Sequence, residues 1–145
     1  MAKAVMLAEQ AFEEGEVPVG AIVVHKNTII GKGYNQVERL GDPTAHAEML
    51  AISAACDTLG EKYLSECTLY VTLEPCPMCA GALVWSKIGT IVFGASDVKS
   101  GASGSVFNIT QNDALNHKAE IIQGILEQDC EYLIKAFFAS KRMKY

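Results

Sequence analysis

Two short segments, far apart in the chain, carry residues that make chemical sense only together: His46-Ala47-Glu48 and Pro75-Cys76-Pro77-Met78-Cys79. One imidazole and two thiolates are the protein ligands of a zinc ion that keeps its fourth position open. A zinc ion that merely supports a fold has four protein ligands instead. The chain must therefore fold so that the His segment and the Cys segment meet. Glu48 places a carboxylate close to the metal, where it can move protons.

The spacing inside the second segment lets one helical turn present both sulfurs to one ion. A redox role for Cys76 and Cys79 would leave His46 and Glu48 unexplained. The remaining histidines, His25 and His117, are the other candidates for a fourth ligand. His25 sits beside a predicted turn and is expected in solvent. His117 precedes a predicted strand and is expected to be a hydrogen-bonded structural residue. The predicted metal ligands are thus His46, Cys76 and Cys79, holding one zinc ion, with Glu48 as the catalytic proton carrier.

Composition bounds the class. With 145 residues, half of them hydrophobic and 20% charged, the chain is expected to form one domain over 1–145 and is not disordered. No apolar run is long enough to span a bilayer. The stretch from Met1 to Glu14 carries acids and no cleavage-site pattern, so no signal peptide is expected and the location read is cytoplasmic. Cys56, Cys67 and Cys130, scattered among apolar residues, are expected to be buried small hydrophobes in a reducing compartment. A net charge of −5 is not the footprint of a nucleic-acid binder. Screening over about 10 Å still permits a local basic face, and Lys141, Arg142 and Lys144 form either such a face or a frayed tail.

The periodicity predicts a helix over Lys3 to Glu14, two strands over Val19 to Val24 and Thr28 to Tyr34 around a turn at Lys26-Asn27, and a loop at Gly41-Asp42-Pro43. Thr44 is the expected N-cap of a helix from Ala45 to Leu59, with His46 and Glu48 in its first turn. A strand over Thr68 to Leu73 ends at Pro75, and Pro77 opens a helix to about Ser86. A strand over Thr90 to Phe93, a Gly- and Ser-rich loop from Ala95 to Gly104, a strand over Glu120 to Gln123 and a helix from Leu126 to Ser140 complete the pattern. That last helix is predicted to turn Ile125, Cys130, Leu133, Phe137 and Phe138 toward the core. Strands alternating with helices imply an α/β protein, a mixed five-stranded sheet in a three-layer α/β/α sandwich. Both metal segments fall at helix starts, where free N–H groups and the helix dipole favour thiolate. The Cys76 N–H is a candidate to support the reaction's tetrahedral intermediate.

Several stretches resemble the bacterial tRNA-specific adenosine deaminases of the cytidine deaminase superfamily, almost end to end. They are 15–21 (Gly-Glu-Val-Pro-Val-Gly-Ala), 31–35 (Gly-Lys-Gly-Tyr-Asn), 42–48 and 72–82 around the two metal segments, 93–102 with Asp97 and Lys99, Asn116-His117, 124–126 and Phe137-Phe138. The zinc motif alone marks the superfamily. The glycine-rich loop and the Phe-Phe pair resemble the tRNA branch. The resemblance implies a cytidine deaminase-like fold and hydrolysis of adenosine to inosine at the wobble position of a tRNA anticodon. It further implies a homodimer, with an arginine tRNA anticodon stem-loop as the expected partner. It assigns Asn35 to the base or its sugar, Asp97 and Lys99 to the ribose and backbone of the loop, and Phe137 to packing against RNA. Pro77-Met78, Trp85 and the Lys-Tyr ending instead resemble bacterial guanine deaminases. A free-base guanine or cytosine deaminase is therefore the alternative enzyme. A non-catalytic zinc-stabilised subunit that presents tRNA is the alternative from another class.

Overall fold

The computed structural model describes residues 1–142. β1 (Gly20–His25) and β2 (Thr28–Tyr34) pair as an antiparallel hairpin. Its two linking residues, Lys26 and Asn27, both have positive φ, 49° and 63°, the combination that matches the right-handed twist of the flanking strands. β3 (Cys67–Leu73) runs antiparallel to β1 and parallel to β4 (Thr90–Ala95), which is parallel to β5 (Glu120–Gln123). The result is the expected mixed five-stranded sheet, in the order β2-β1-β3-β4-β5.

Side-chain alternation divides the core between the two faces. Val23, Leu69, Val71, Ile91 and Phe93 point to one face and meet α3 (Ala47–Leu59) and α4 (Pro77–Trp85). α3 buries Ala47, Ala51 and Ala55 completely, a stripe at helical spacing. Small residues are needed there because the helix backbone nearly touches β2. A Cβ on Gly33 would lie 2.3 Å from the Ala47 carbonyl oxygen. The other face carries α1 (Ala2–Glu13), which buries Ala4, Ala8 and Ala11, and α5 (Glu127–Arg142), which buries Cys130 and Phe137. These are the three expected layers. Because β3 and β4 are parallel, the chain leaves both at the same edge of the sheet, the usual place for a ligand crevice.

The structure departs from the sequence reading at definite places. Thr44 does not cap α3. Its N–H and hydroxyl both bond to the Asp42 carboxylate, at 2.8 and 2.7 Å, and His46 takes the N-cap position instead. The local turn at Asp42 wins because a side-chain acceptor two residues back is already in reach. A short helix, α2 (Val37–Leu40), lies where no element was predicted. α5 begins one residue late, at Glu127, because Leu126 is in the left-handed region with φ 54°. Ile125 and Phe138 were predicted in the core but are 42% and 43% exposed. Cys67 and Cys130 are buried as expected, whereas Cys56 is only partly so. His25 is half-buried, 3.8 Å from Glu66, rather than in open solvent. His117 is the structural histidine expected, with Nε2 donating to the Ile88 carbonyl at 2.6 Å. Lys144 and the Lys-Tyr ending lie outside the described residues. Among the described residues, no helix is long and apolar enough to cross a membrane.

Candidate active site

α3 and α4 both begin at the site, and each N-cap residue is a predicted ligand. His46 and Cys76 have extended backbones, and neither side chain caps its own helix. Pro77 at the first helical position of α4 fits that role, since its fixed φ suits the turn and it has no N–H to lose. The ring and the thiol are thus free to face each other across the gap. His46 Nδ1 lies 3.6 Å from the Sγ of Cys76 and 3.6 Å from the Sγ of Cys79. All three ligand atoms lie within 4.8 Å of one another. Zn–N and Zn–S bonds of about 2.0 and 2.3 Å at tetrahedral angles place N and S about 3.5 Å apart. The donor set and its spacing therefore fit three corners of a tetrahedral metal site. The positive ends of two helix dipoles meet the anionic sulfurs there.

Protonation follows from this crowding. The Cys79 thiol hydrogen-bonds to Cys76 and, with His46 alongside, holds the Cys76 thiol down to about 4. The same contact with Cys76, reinforced by burial, raises the Cys79 thiol far above its ordinary value. His46 is raised, chiefly by its hydrogen bond to Cys76. Glu48 sits in the first turn of α3 and is 4% exposed. Burial pushes its carboxyl up to about 7, with the Cys76 charge adding to the effect. A group titrating near neutrality is suited to take up a proton and give it back.

His46, Cys76 and Glu48 line a cleft of about 170 Å³ whose walls include Asn35, Glu74, Asp97 and Ser100, while Cys79 is fully buried. Asn35 follows β2 and is 7% exposed, and its Oδ1 is buried with no hydrogen-bond partner. An orphaned buried amide costs about 1–3 kcal/mol, which is tolerable where a ligand supplies the missing bond. The Asp97 carboxylate accepts from the Lys99 N–H, the Ser100 N–H and the Ser100 hydroxyl at 3.0, 3.2 and 2.9 Å. Asp97 reaches the cleft, but its carboxylate is engaged by its own turn. Lys99 does not line the cleft. It borders an adjoining groove with Lys135, Phe138 and Arg142. Phe137 is 6% exposed, with its ring edge-to-face on Phe12 at 5.9 Å and on Phe138 at 5.4 Å. It lends an edge to a third groove, with Asn35, His46 and Lys141, while Phe138 presents the open ring.

Two buried carboxylates at this site escaped the sequence reading. Glu16, 1% exposed, accepts from the N–H groups of Glu38 and Arg39 at 3.0 and 2.8 Å and so holds the start of α2. Glu74, 2% exposed, accepts from backbone N–H groups of the loop after β4. The available signal was an acid in apolar company, Glu16 before Val17-Pro18 and Glu74 between Leu73 and Pro75. Unpaired by a cation, such an acid needs backbone donors if it is buried.

Comparison with known proteins agrees with this geometry. The MafB19-like deaminase family matches residues 1–130. The tRNA-specific adenosine deaminase of Bacillus subtilis (strain 168) is 48% identical over 144 residues, covering 99% of this chain and 89% of that protein. A structure from work on A-to-I editing by tRNA:A34 deaminases at the wobble position of transfer RNA superposes with a TM-score of 0.86. It is 37% identical and covers 90% of this chain and 94% of its own. The X-ray structure of guanine deaminase from Bacillus subtilis is 40% identical over less of the chain, with a TM-score of 0.64 and coverage of 73% and 67%. On fold, sequence identity and near-complete coverage alike, the chain belongs to the MafB19-like deaminases, among the tRNA-specific adenosine deaminases.

Proposed function

We propose that this chain is a zinc-dependent hydrolase that converts adenosine to inosine at the wobble position of a tRNA anticodon, with an arginine tRNA as its substrate. The observation that carries the reading is the coincidence, in one cleft, of a three-ligand metal group, a buried carboxyl and an unpaired buried amide. His46 Nδ1 and the sulfurs of Cys76 and Cys79 would hold one zinc ion per subunit. When bound, zinc lowers the pKa of water to near neutrality and so supplies the nucleophile. Glu48 takes the proton released from the attacking water and delivers it to the amino nitrogen that departs as ammonia. Asn35 bonds the base or its sugar through the amide that has no protein partner. The Cys76 N–H, at the start of α4, supports the negative charge of the tetrahedral intermediate.

Charge distribution supports an RNA substrate despite the net charge of −5. Lys99, Lys135, Lys141 and Arg142 border the two grooves that flank the cleft, alongside Glu16, Glu38 and Asp97, whereas the groove between α1 and α5 has Glu9, Glu13 and Asp129 and no cation in its lining. An anticodon loop presents bases already unstacked, so little energy is lost in inserting one. Asp97, through its turn, and Lys99 would flank the sugar-phosphate chain, with Phe137 and Phe138 against an adjacent base. The homodimer implied by the family has a candidate surface in α4, which contains no charged residue and leaves Trp85 85% exposed. Trp85, one of the features shared with guanine deaminases, is absent from the lining of the cleft.

Nucleoside mass spectrometry after incubation with an arginine-tRNA anticodon stem-loop tests the reading. Stoichiometric inosine at the wobble position is expected. No inosine from zinc-loaded protein, with turnover of free guanine instead, would assign the chain to the free-base enzymes.

A further inference from the structure

We infer that Glu74 is a positioning residue, one that sets the substrate-facing loop against the metal segment and thereby controls how an RNA-borne adenosine is held. Glu74 lies between the end of β3 and Pro75-Cys76, so its backbone belongs to the metal segment. Its side chain belongs to the loop after β4. Oε1 accepts from the Asp97 N–H at 3.1 Å and from the Ser105 hydroxyl. Oε2 accepts from the N–H groups of Ser103 and Ser105 at 3.0 and 3.1 Å. A backbone bond from the Ala102 N–H to the Pro75 carbonyl, 2.8 Å, ties the same two segments a second time. One buried carboxylate thus gathers both ends of a Gly- and Ser-rich stretch, 97–105.

Gly101 completes the device. A Cβ at that position would lie 2.4 Å from Glu74 Cδ and 2.5 Å from both Glu74 Oε2 and the Asp97 carbonyl oxygen. The loop can close on the carboxylate only because residue 101 has no side chain. Asp97 and Ser100, which line the same cleft as Asn35 and Glu48, lie within the stretch so held. Loss of the anchor releases that wall and leaves the zinc ligands where they are.

This inference rests on the reading of the cleft as an anticodon-adenosine site. Glu74→Gln replaces one acceptor with an amide that faces N–H donors. Gly101→Ala presses on the same carboxylate from the loop side and spares the core. In both variants zinc content is expected to equal that of the wild type, KM for the stem-loop to rise by about 10- to 100-fold with kcat reduced less, and hydrogen exchange to quicken across 97–106. The double variant should show less than the product of the two single effects, since both act on one contact. An unchanged KM and unchanged exchange in both variants would overturn the inference. So would zinc loss in both, because Glu74 would then serve the metal segment alone. Failure of the wild type to form inosine would count against the substrate reading, whereas the exchange measurement tests the anchor without substrate.

Discussion

The metal segments and the walls of the cleft are built by different means. His46, Glu48, Cys76 and Cys79 lie at the starts of two helices whose bodies are packed in the core: Ala47, Ala51 and Ala55 on α3, Cys79, Ala80 and Leu83 on α4. Asn35, Asp97 and Ser100 lie on loops: Asn35 is tied by its N–H to the Val19 carbonyl just before the α2 start that Glu16 holds, and the 97–105 stretch is tied to buried Glu74 and to the Pro75 carbonyl. The frame proposed to carry the chemistry is thus fixed by apolar packing, which tolerates little displacement. The walls proposed to meet the substrate are fixed largely by hydrogen bonds, which can change without moving the packed helices.

If that division is right, damage to the frame should be global and damage to the walls local. Cys76→Ser is expected to have the largest effect. It would remove one of the three proposed ligands, and metal binding to a folded site adds to stability, so metal, activity and thermal stability should fall together and chelator should no longer lower Tm. Full zinc occupancy in that variant would remove Cys76 from the ligand set. Glu48→Ala should reduce kcat by about three to four orders of magnitude with zinc retained. Substantial residual turnover would end the proton-transfer role. Asn35→Ala should lower kcat/KM by about 10- to 100-fold, with stability changed by no more than about 1 kcal/mol, because the lost Oδ1 has no partner in the protein. A large drop in Tm there would mean that Asn35 belongs to the frame. The smallest effect concerns protons. The Cys79 thiol, raised above an ordinary value that already exceeds neutrality, is protonated at neutral pH in the metal-free protein, so zinc binding there must displace at least one proton. Zinc affinity should strengthen by at least about tenfold per pH unit near neutrality. Titration against a competing chelator at two pH values checks this, and a pH-independent affinity would contradict it.

The same division explains what could be read in the sequence. The frame was legible because each part has a local signature: alternating strands, alanines at helical spacing in α3, and Pro77 opening α4. That His46, Cys76 and Cys79 would converge was legible because metal chemistry restricts the residue types. The walls were not, because their supports act over long sequence separations. Nothing near Glu38 announces that Glu16 will hold α2, and nothing near Ser105 announces Glu74. Thr44 misled for a related reason: it is a good cap residue by type, but Asp42 lies two positions away and engages it first. Phe137 and Phe138 were indistinguishable by type. One faces Phe12 and the other the grooves because consecutive helical residues point about 100° apart.

The most direct test of the central claim, an open metal centre assembled from two helix starts, is X-ray absorption at the zinc edge of the purified protein. The account predicts two sulfurs at about 2.3 Å and two lighter atoms at about 2.0 Å, one from His46 and one exchangeable. A shell of four protein ligands would contradict it and make the zinc a folding element.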